Sequence, residues 1–326
     1  MKFDTHEGSV PMSSPRKLSI VAGLAALLVG SPAFAQDKIK VIASFSILGD
    51  LVKNVGGDRV DVSTLVGPNG DAHVFSPSPA DARRVATSRV IFVNGLGFEG
   101  WMTRLVKASG TKAPLVVVSK GIKVREMEEE GRRHESQKER VHDKKNGHGH
   151  DEQDPHAWQS VVNAKIYVAN IRDGLTKADP AGKETYSTNA DAYLAKLDAL
   201  EKEIKREIAK IPADRRRIIT SHDAFGYFGA AYGIKFISPE GMSTESQASA
   251  KDVAKIIVQI KKQMIPAVFM ENISSARLIE QIARETGAKI GGTLYSDALS
   301  EPGGPAGTYI DMMRHNVREL SIALTS

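Results

Sequence analysis

The sequence predicts an α/β protein of two doubly wound lobes with mostly parallel sheets, joined by one long connecting helix. Three observations carry this: short apolar runs alternate with amphipathic stretches, the series stops and restarts late in the chain, and one uninterrupted amphipathic helix separates the two series. The 326 residues give room for two domains of ordinary size.

Before the first lobe comes an address. Arg16 and Lys17 precede the apolar run Leu18–Val29, and Ser31-Pro32-Ala33-Phe34-Ala35 follows. A basic start, a short apolar core and an A-x-A site read as a secretory signal peptide over residues 1–35, cleaved after Ala35. Residues 1–11 form an upstream extension, because Met12 begins a leader of normal length. Twelve apolar residues are too few to span a bilayer. The expected destination is the bacterial periplasm.

The first lobe is expected over 36–181. Lys40–Phe45, Val60–Val66, Val90–Val93 and Leu115–Val118 read as short buried strands. Helices are expected between them at Ile47–Val55, Pro79–Ala86 and Glu99–Ala108. Lys123–Asp154 breaks the rhythm with 18 charged residues among 32 and no aromatic side chain. It has too little apolar surface to offset ordering entropy, so it is expected to be an unstructured loop. The connecting helix is expected over 182–210. Tyr193, Leu197, Leu200, Ile204 and Ile208 recur there at three- and four-residue spacing, with charges on the other faces. The second lobe, over 211–326, repeats the pattern. Its strands are Arg217–Thr220, Lys235–Ile237, Ala267–Met270 and Lys289–Leu294. Its helices are Phe225–Tyr232, Ser249–Gln263, Ala276–Glu285 and Ala306–Ala323.

Composition removes several function classes. With no cysteine there is no disulfide scaffold, no Cys-based zinc finger, no thiol nucleophile and no lipid-modified N-terminal cysteine. A formal charge of +5 spread along the chain lacks the concentrated basic stripe that nucleic acid demands. Gly95-Leu-Gly97-Phe-Glu-Gly100 matches the dinucleotide fingerprint and follows a strand, but the acid expected about 20 residues on is missing. The glycines then need only make a tight turn.

The histidines are more informative. His134, His142, His148 and His150 lie in the charged loop, where clustered imidazoles form a weak accessory metal site or simply a solvated insertion. His315, beside Arg314 and Asn316 in the last helix, reads as a surface residue. Three remain: His73 in the loop after the second strand, His156 where the charged loop ends, and His222 just after the first strand of the second lobe. Asp297 ends the last strand. In open α/β sheets ligands bind beyond the carboxyl ends of strands, so these residues are candidates to face one another across an interlobe cleft. Three imidazoles and a carboxylate form a four-coordinate set suited to zinc. Isolated loop histidines are also commonly structural, and spacing alone leaves both readings open.

Asp71-Ala-His73 with Ser76-Pro-Ser-Pro79, Asp154-Pro-His156-Ala-Trp158, Ser221-His222-Asp223-Ala-Phe-Gly-Tyr-Phe228 and Tyr295-Ser-Asp297 occur in that order. With the leader, they resemble the zinc- and manganese-specific solute-binding proteins of ABC importers, the ZnuA-like family of cluster A-I, and within it the AztC subgroup. The resemblance covers essentially the whole mature chain. It implies two α/β lobes joined by a long helix, a metal in the cleft held by His73, His156, His222 and Asp297, and an accessory role for the histidine-containing loop. It implies as partners a membrane permease and its ATPase; a periplasmic metal chaperone is a further candidate partner, and the protein itself is expected to be a monomer. Manganese-type members of that family place a carboxylate at the position of His222, so histidine there shifts the expected ion from Mn²⁺ toward Zn²⁺.

The function expected is therefore capture of Zn²⁺ in the periplasm for import, with Mn²⁺ as the alternative cargo. A secreted zinc hydrolase would need an open coordination position and a nearby base such as Asp223 or Glu271. No H-E-x-x-H or G-x-S-x-G motif supports that, and acids beside ligand histidines more commonly hydrogen-bond to them. A surface adhesin is the third class, matched only loosely.

Overall fold

Two four-stranded sheets, both wholly parallel, organise the chain, for which the computed structural model describes residues 1–3, 37–125, 153–246 and 248–325. In the first lobe, β1 (Ile39–Phe45), β2 (Val60–Val66), β3 (Val90–Val93) and β4 (Leu115–Val117) lie in the order β2-β1-β3-β4. In the second, β5 (Arg217–Ile219), β6 (Lys235–Ile237), β7 (Ala267–Glu271) and β8 (Lys289–Leu294) repeat the order as β6-β5-β7-β8. Central strands covered on both faces read as unbroken apolar runs: all four residues of β3 and the last five of β1 are buried.

Parallel pairing requires crossovers, and helices supply them. The first lobe uses α1 (Ser46–Gly56), α2 (Pro79–Ala86) and α3 (Met102–Ser109). At the start of α2, the Ser78 hydroxyl accepts from Asp81 N while the Asp81 carboxylate accepts from Ser78 N, a reciprocal cap that fixes where the chain turns inward. Next come α4 (Val161–Ala178) and α5 (Lys183–Ala209); the second lobe uses α6 (Gly226–Tyr232), α7 (Ala250–Gln263) and α8 (Ala276–Thr286), and α9 (Tyr309–Thr325) follows its last strand.

All eight expected strands are present, and α5 is the expected connecting helix. Its 27 residues make a rod of about 40 Å at 1.5 Å per residue. It packs against α1 and α4 on one side of the sequence and against α6 and α9 on the other. Helix α4 is an addition to the predicted set. Its buried Val161, Ala164, Val168, Ile171 and Leu175 are at helical spacing, directly after the loop-like Asp154–Trp158 segment.

One apolar core runs through both lobes, including Phe45, Trp158, Leu197, Phe228, Tyr309 and Leu320. A smaller core of Ile219, Val253, Ile256, Ile260, Val268, Ile279 and Ile282 lies where α7 and α8 cover the second sheet. Asp37–Ser326 is accordingly one compact unit.

The run expected to be unstructured over 123–154 is ordered at both ends. Asp154 N donates to Arg125 O (3.0 Å), and Arg125 N donates to Tyr227 Oη (2.9 Å). Pairing with folded elements overrides the local composition there. Residues 126–152, with His134, His142, His148 and His150, lie outside the described residues. So do residues 4–36, with the expected signal peptide and its cleavage point. Among the described residues, no helix is long and apolar enough to cross a membrane.

Candidate metal centre

Each candidate ligand is presented by a backbone feature its own sequence creates. In the loop after β2, Asp71 Oδ1 accepts from His73 N (2.9 Å), an Asx turn that orients the histidine. Trp101 Nε1 donates to Ala72 O (2.8 Å), and the His73 ring meets Phe98 edge-on with centroids 4.8 Å apart. The same D-x-H device recurs at Asp154, whose Oδ1 accepts from His156 N (3.0 Å) and also lies 2.9 Å from His156 Nδ1. Beyond β5, His222 N donates to Glu271 Oε1 (2.9 Å), and its Nδ1 lies 2.6 Å from Glu271 Oε2. Beyond β8, Asn316 pins the backbone of Tyr295 through its amide, at 2.9 and 2.8 Å, just ahead of Asp297.

The structure brings the four together. One ligand atom from each of His73, His156, His222 and Asp297 can be chosen so that all lie within 4.8 Å of one another. Asp297 Oδ2 is 3.1 Å from His73 Nε2 and 3.2 Å from His222 Nε2. His156 Nε2 is 3.3 Å from His73 Nε2 and 3.7 Å from Asp297 Oδ1. A tetrahedron with metal–ligand bonds of about 2.0–2.1 Å has edges of about 3.3–3.4 Å, so these spacings suit a small divalent ion. His156, His222 and Asp297 are wholly buried, and His73 is 8% exposed. Asp297 Oδ1 is a buried acceptor with no hydrogen-bond partner among the described residues. A buried carboxylate with such an atom is costly unless positive charge lies beside it.

The electrostatics fit the same purpose. Burial works against the charged form of His156, but the carboxylates of Asp297 and Asp154 outweigh it and raise its pKa to about 9. His222 is likewise opposed by burial, yet Glu271 and Asp297 hold its pKa well above the ordinary imidazole value. Burial would raise the Asp297 carboxyl, and the facing His156 and His222 instead take it well below the usual range. Both rings are thus held toward the protonated form by the carboxylates around them.

Two other sequence expectations are settled by contacts. In the Gly95–Gly100 turn, Gly95 and Gly97 adopt positive φ (85° and 81°), but the Glu99 carboxylate accepts from Asn94 N (2.7 Å) and Gly95 N (3.1 Å). The amides at the head of that turn are filled by the protein's own carboxylate. His315 corrects the surface reading: it is half-buried, with Nε2 2.9 Å from Thr293 O and its ring edge-on to Tyr295. The packing of α9 on β8 claims it. Asp154 is a member that spacing alone missed as a partner of the His156 ring, although the repeated D-x-H pattern was its signal.

Fold and cluster together define a two-lobed cleft protein with a buried N₃O donor set contributed by both lobes. A family model described as zinc-uptake complex component A, periplasmic, matches residues 41–323. The chain belongs to that family, ZnuA, the periplasmic metal-binding components of ABC importers, which are substrate-binding proteins and not enzymes. Proteins of this class work with a permease and an ATPase. Among curated relatives, the manganese-binding lipoprotein MntA of Halalkalibacterium halodurans is 35% identical, over 86% of this chain and 87% of its own. The iron-binding protein YfeA of Yersinia pestis is 33% identical, over 92% and 90%. Among solved structures, the periplasmic zinc-binding protein TroA of Treponema pallidum superposes with a TM-score of 0.78 at 29% identity, covering 88% of this chain and 99% of that one. The manganese-bound periplasmic metal-binding protein of Candidatus Liberibacter asiaticus gives 0.75 at 31% identity, covering 88% and 100%.

Proposed function

We propose that this protein captures Zn²⁺ in the periplasm and delivers it to a membrane permease driven by an ATPase, with His73, His156, His222 and Asp297 as the four ligands. The single observation that carries this reading is a buried cluster of three imidazoles and one carboxylate whose ligand atoms lie within 4.8 Å of one another, three of their spacings at 3.1–3.3 Å, close to tetrahedral edges. Asp154, bonded to His156 Nδ1, favours the tautomer that turns Nε2 inward, and the Glu271 carboxylate lies 2.6 Å from His222 Nδ1, the usual kind of support behind a metal-bound histidine. A closed four-ligand shell leaves no position for an activated water, which suits holding an ion and not hydrolysis.

Manganese is the second reading. Asp297 Oδ1, without a hydrogen-bond partner among the described residues, becomes a fifth donor if the carboxylate turns, and a relative named for manganese is among the curated matches. Six- or five-coordinate ions favour the extra oxygen, whereas zinc is satisfied by three imidazoles and one oxygen. The signal peptide over 1–35 accounts for export. His134, His142, His148 and His150 are assigned a weak accessory role in collecting ions. The protein acts as a monomer that accepts metal directly or from a chaperone.

The test is metal content by mass spectrometry after purification without chelator or affinity tag, followed by competition titration. One zinc per chain, lost in His222→Ala, is expected. Copurified manganese, or wild-type zinc affinity in His222→Ala, overturns the assignment.

A further inference from the structure

Two side chains that follow His156 reach across to the segment that carries Asp297. Trp158 Nε1 and Gln159 Nε2 both donate to the carbonyl oxygen of Ser296, at 2.9 and 2.7 Å. All three residues are completely buried. Ser296 immediately precedes Asp297, so this clamp ties one ligand-bearing segment to the other a single residue from the carboxylate. A carbonyl oxygen has two lone pairs, and here both are used. Trp158 is braced in turn: Tyr309 Oη donates to its backbone oxygen (2.7 Å), and its ring packs against Phe45, Phe98 and His156, with centroids 4.9, 4.9 and 5.4 Å away.

Gln159 has a peculiarity that separates positioning from stability. Its Oε1 is buried without a hydrogen-bond partner among the described residues. Leucine would fill similar space without leaving an orphaned acceptor, so packing alone gives glutamine no advantage. What the amide adds is the N–H aimed at Ser296.

We propose that Gln159 and Trp158 are positioning residues that set which ion the site prefers, an inference that rests on the four-ligand reading above. By fixing the Ser296 carbonyl they hold the Asp297 carboxylate so that Oδ2 faces His73 and His222, at 3.1 and 3.2 Å, while Oδ1 stays 3.7 Å from His156 Nε2. The ion then receives one carboxylate oxygen. With the clamp loosened, the carboxylate swings to offer both oxygens, and the shell grows from four donors to five. That change costs zinc its preferred tetrahedral surroundings and moves the site toward ions that accept more oxygen, such as manganese.

The test uses the full chain with Gln159→Leu, Trp158→Phe and His222→Ala, and the probes Zn²⁺, Mn²⁺ and Co²⁺. Gln159→Leu should still bind one Co²⁺ but with a weaker visible absorption, because five-coordinate cobalt absorbs less than tetrahedral cobalt. Zinc affinity should fall about 10–100-fold, as for other residues that support metal ligands, and the zinc-to-manganese preference should fall with it. The metal-free Tm should hold or rise. Trp158→Phe should move the same quantities in the same direction, and it decides the matter if Gln159→Leu fails to fold. An unchanged cobalt spectrum and zinc-to-manganese ratio, with or without a lower Tm, would mean the clamp is structural only. His222→Ala separates the two levels: if it keeps tight zinc, the ligand set itself is wrong, whatever the clamp variants do.

Discussion

The three histidines of the cluster are held differently, and the contrast divides the site into a fixed floor and a looser rim. His156 and His222 are fully buried, and each has a carboxylate within 2.9 Å of Nδ1, from Asp154 and Glu271. His73 is oriented through its backbone amide and rests on the edge of Phe98, and it keeps 8% exposure. The floor is charged and prearranged; the rim is apolar and nearer to solvent. The difference teaches that one residue type meets two environments: two histidines gain basicity from buried carboxylates, and the third is oriented through its backbone nearer to solvent.

The largest effects should come from the floor. His156→Ala and His222→Ala each remove a donor and also strand a buried carboxylate, Asp154 or Glu271. Zinc binding measured by competition with a chelator should weaken well beyond the roughly 10–100-fold typical of supporting residues. His73→Ala strands no such partner and should cost less than either. Equal losses for all three would erase the distinction between floor and rim.

Acidification comes next. The carboxylates of Asp297 and Asp154 push His156 up to about 9, and His222 is raised as well; as proposed ligands, both must be neutral to bind. Protons therefore compete at neutral pH, and zinc affinity should already fall as pH drops from about 9. The reference imidazole value of about 6.5 predicts a fall only below that pH, so the carboxylates of the floor move the window upward. Close to two protons should leave per zinc bound at pH 7, measurable by calorimetry in buffers of different ionisation enthalpy. Metal-free stability has the opposite sign. A histidine raised above its unfolded value contributes stability that is complete below about 6.5 and lost as pH rises through about 9. The metal-free Tm should accordingly drop across that interval while affinity climbs. Release of no protons at pH 7 would contradict the imidazolium floor.

A smaller, sharper change is Glu271→Gln, which keeps the shape but removes the charge behind His222. Zinc affinity should fall about 10–100-fold, and proton release should fall from two toward one. Asp154→Asn should do the same through His156. The smallest effect is expected from deleting residues 126–150, which supply none of the four donors: affinity of the tight site should be unchanged, while the number of weakly bound ions drops. Loss of the tight site on deletion would shift the ligand assignment into that segment.

Much of this architecture is legible in local pattern. The run Val90–Val93 needs only its four adjacent apolar side chains to read as a buried strand, and β3 has those bounds. Pro79–Ala86 is announced by Ser78 before Pro79 and Asp81 three residues on, and α2 occupies that range. Helix α4 lies outside the expected set because polar residues, Asn163 and Lys165 among them, interrupt its apolar pattern. His315 was read as exposed because its neighbours Arg314 and Asn316 are polar, although β8 packs on its side of α9.

The sequence by itself determined the alternation of strands and helices, the long α5 rod and the four residue types that can ligate an ion. These follow from periodicities of two to four residues and from side-chain chemistry, all contained in short stretches of chain. Tertiary structure alone decided that His73 and Asp297 meet across 224 positions of sequence, and that Glu271 stands behind His222 from 49 positions away. Parallel sheets deliver the carboxyl ends of strands to one edge, and packing of both lobes around a shared core brings the two edges together. The raised histidines follow from that meeting, because proximity of charge and exclusion of water are properties of the assembled cleft and of no segment within it.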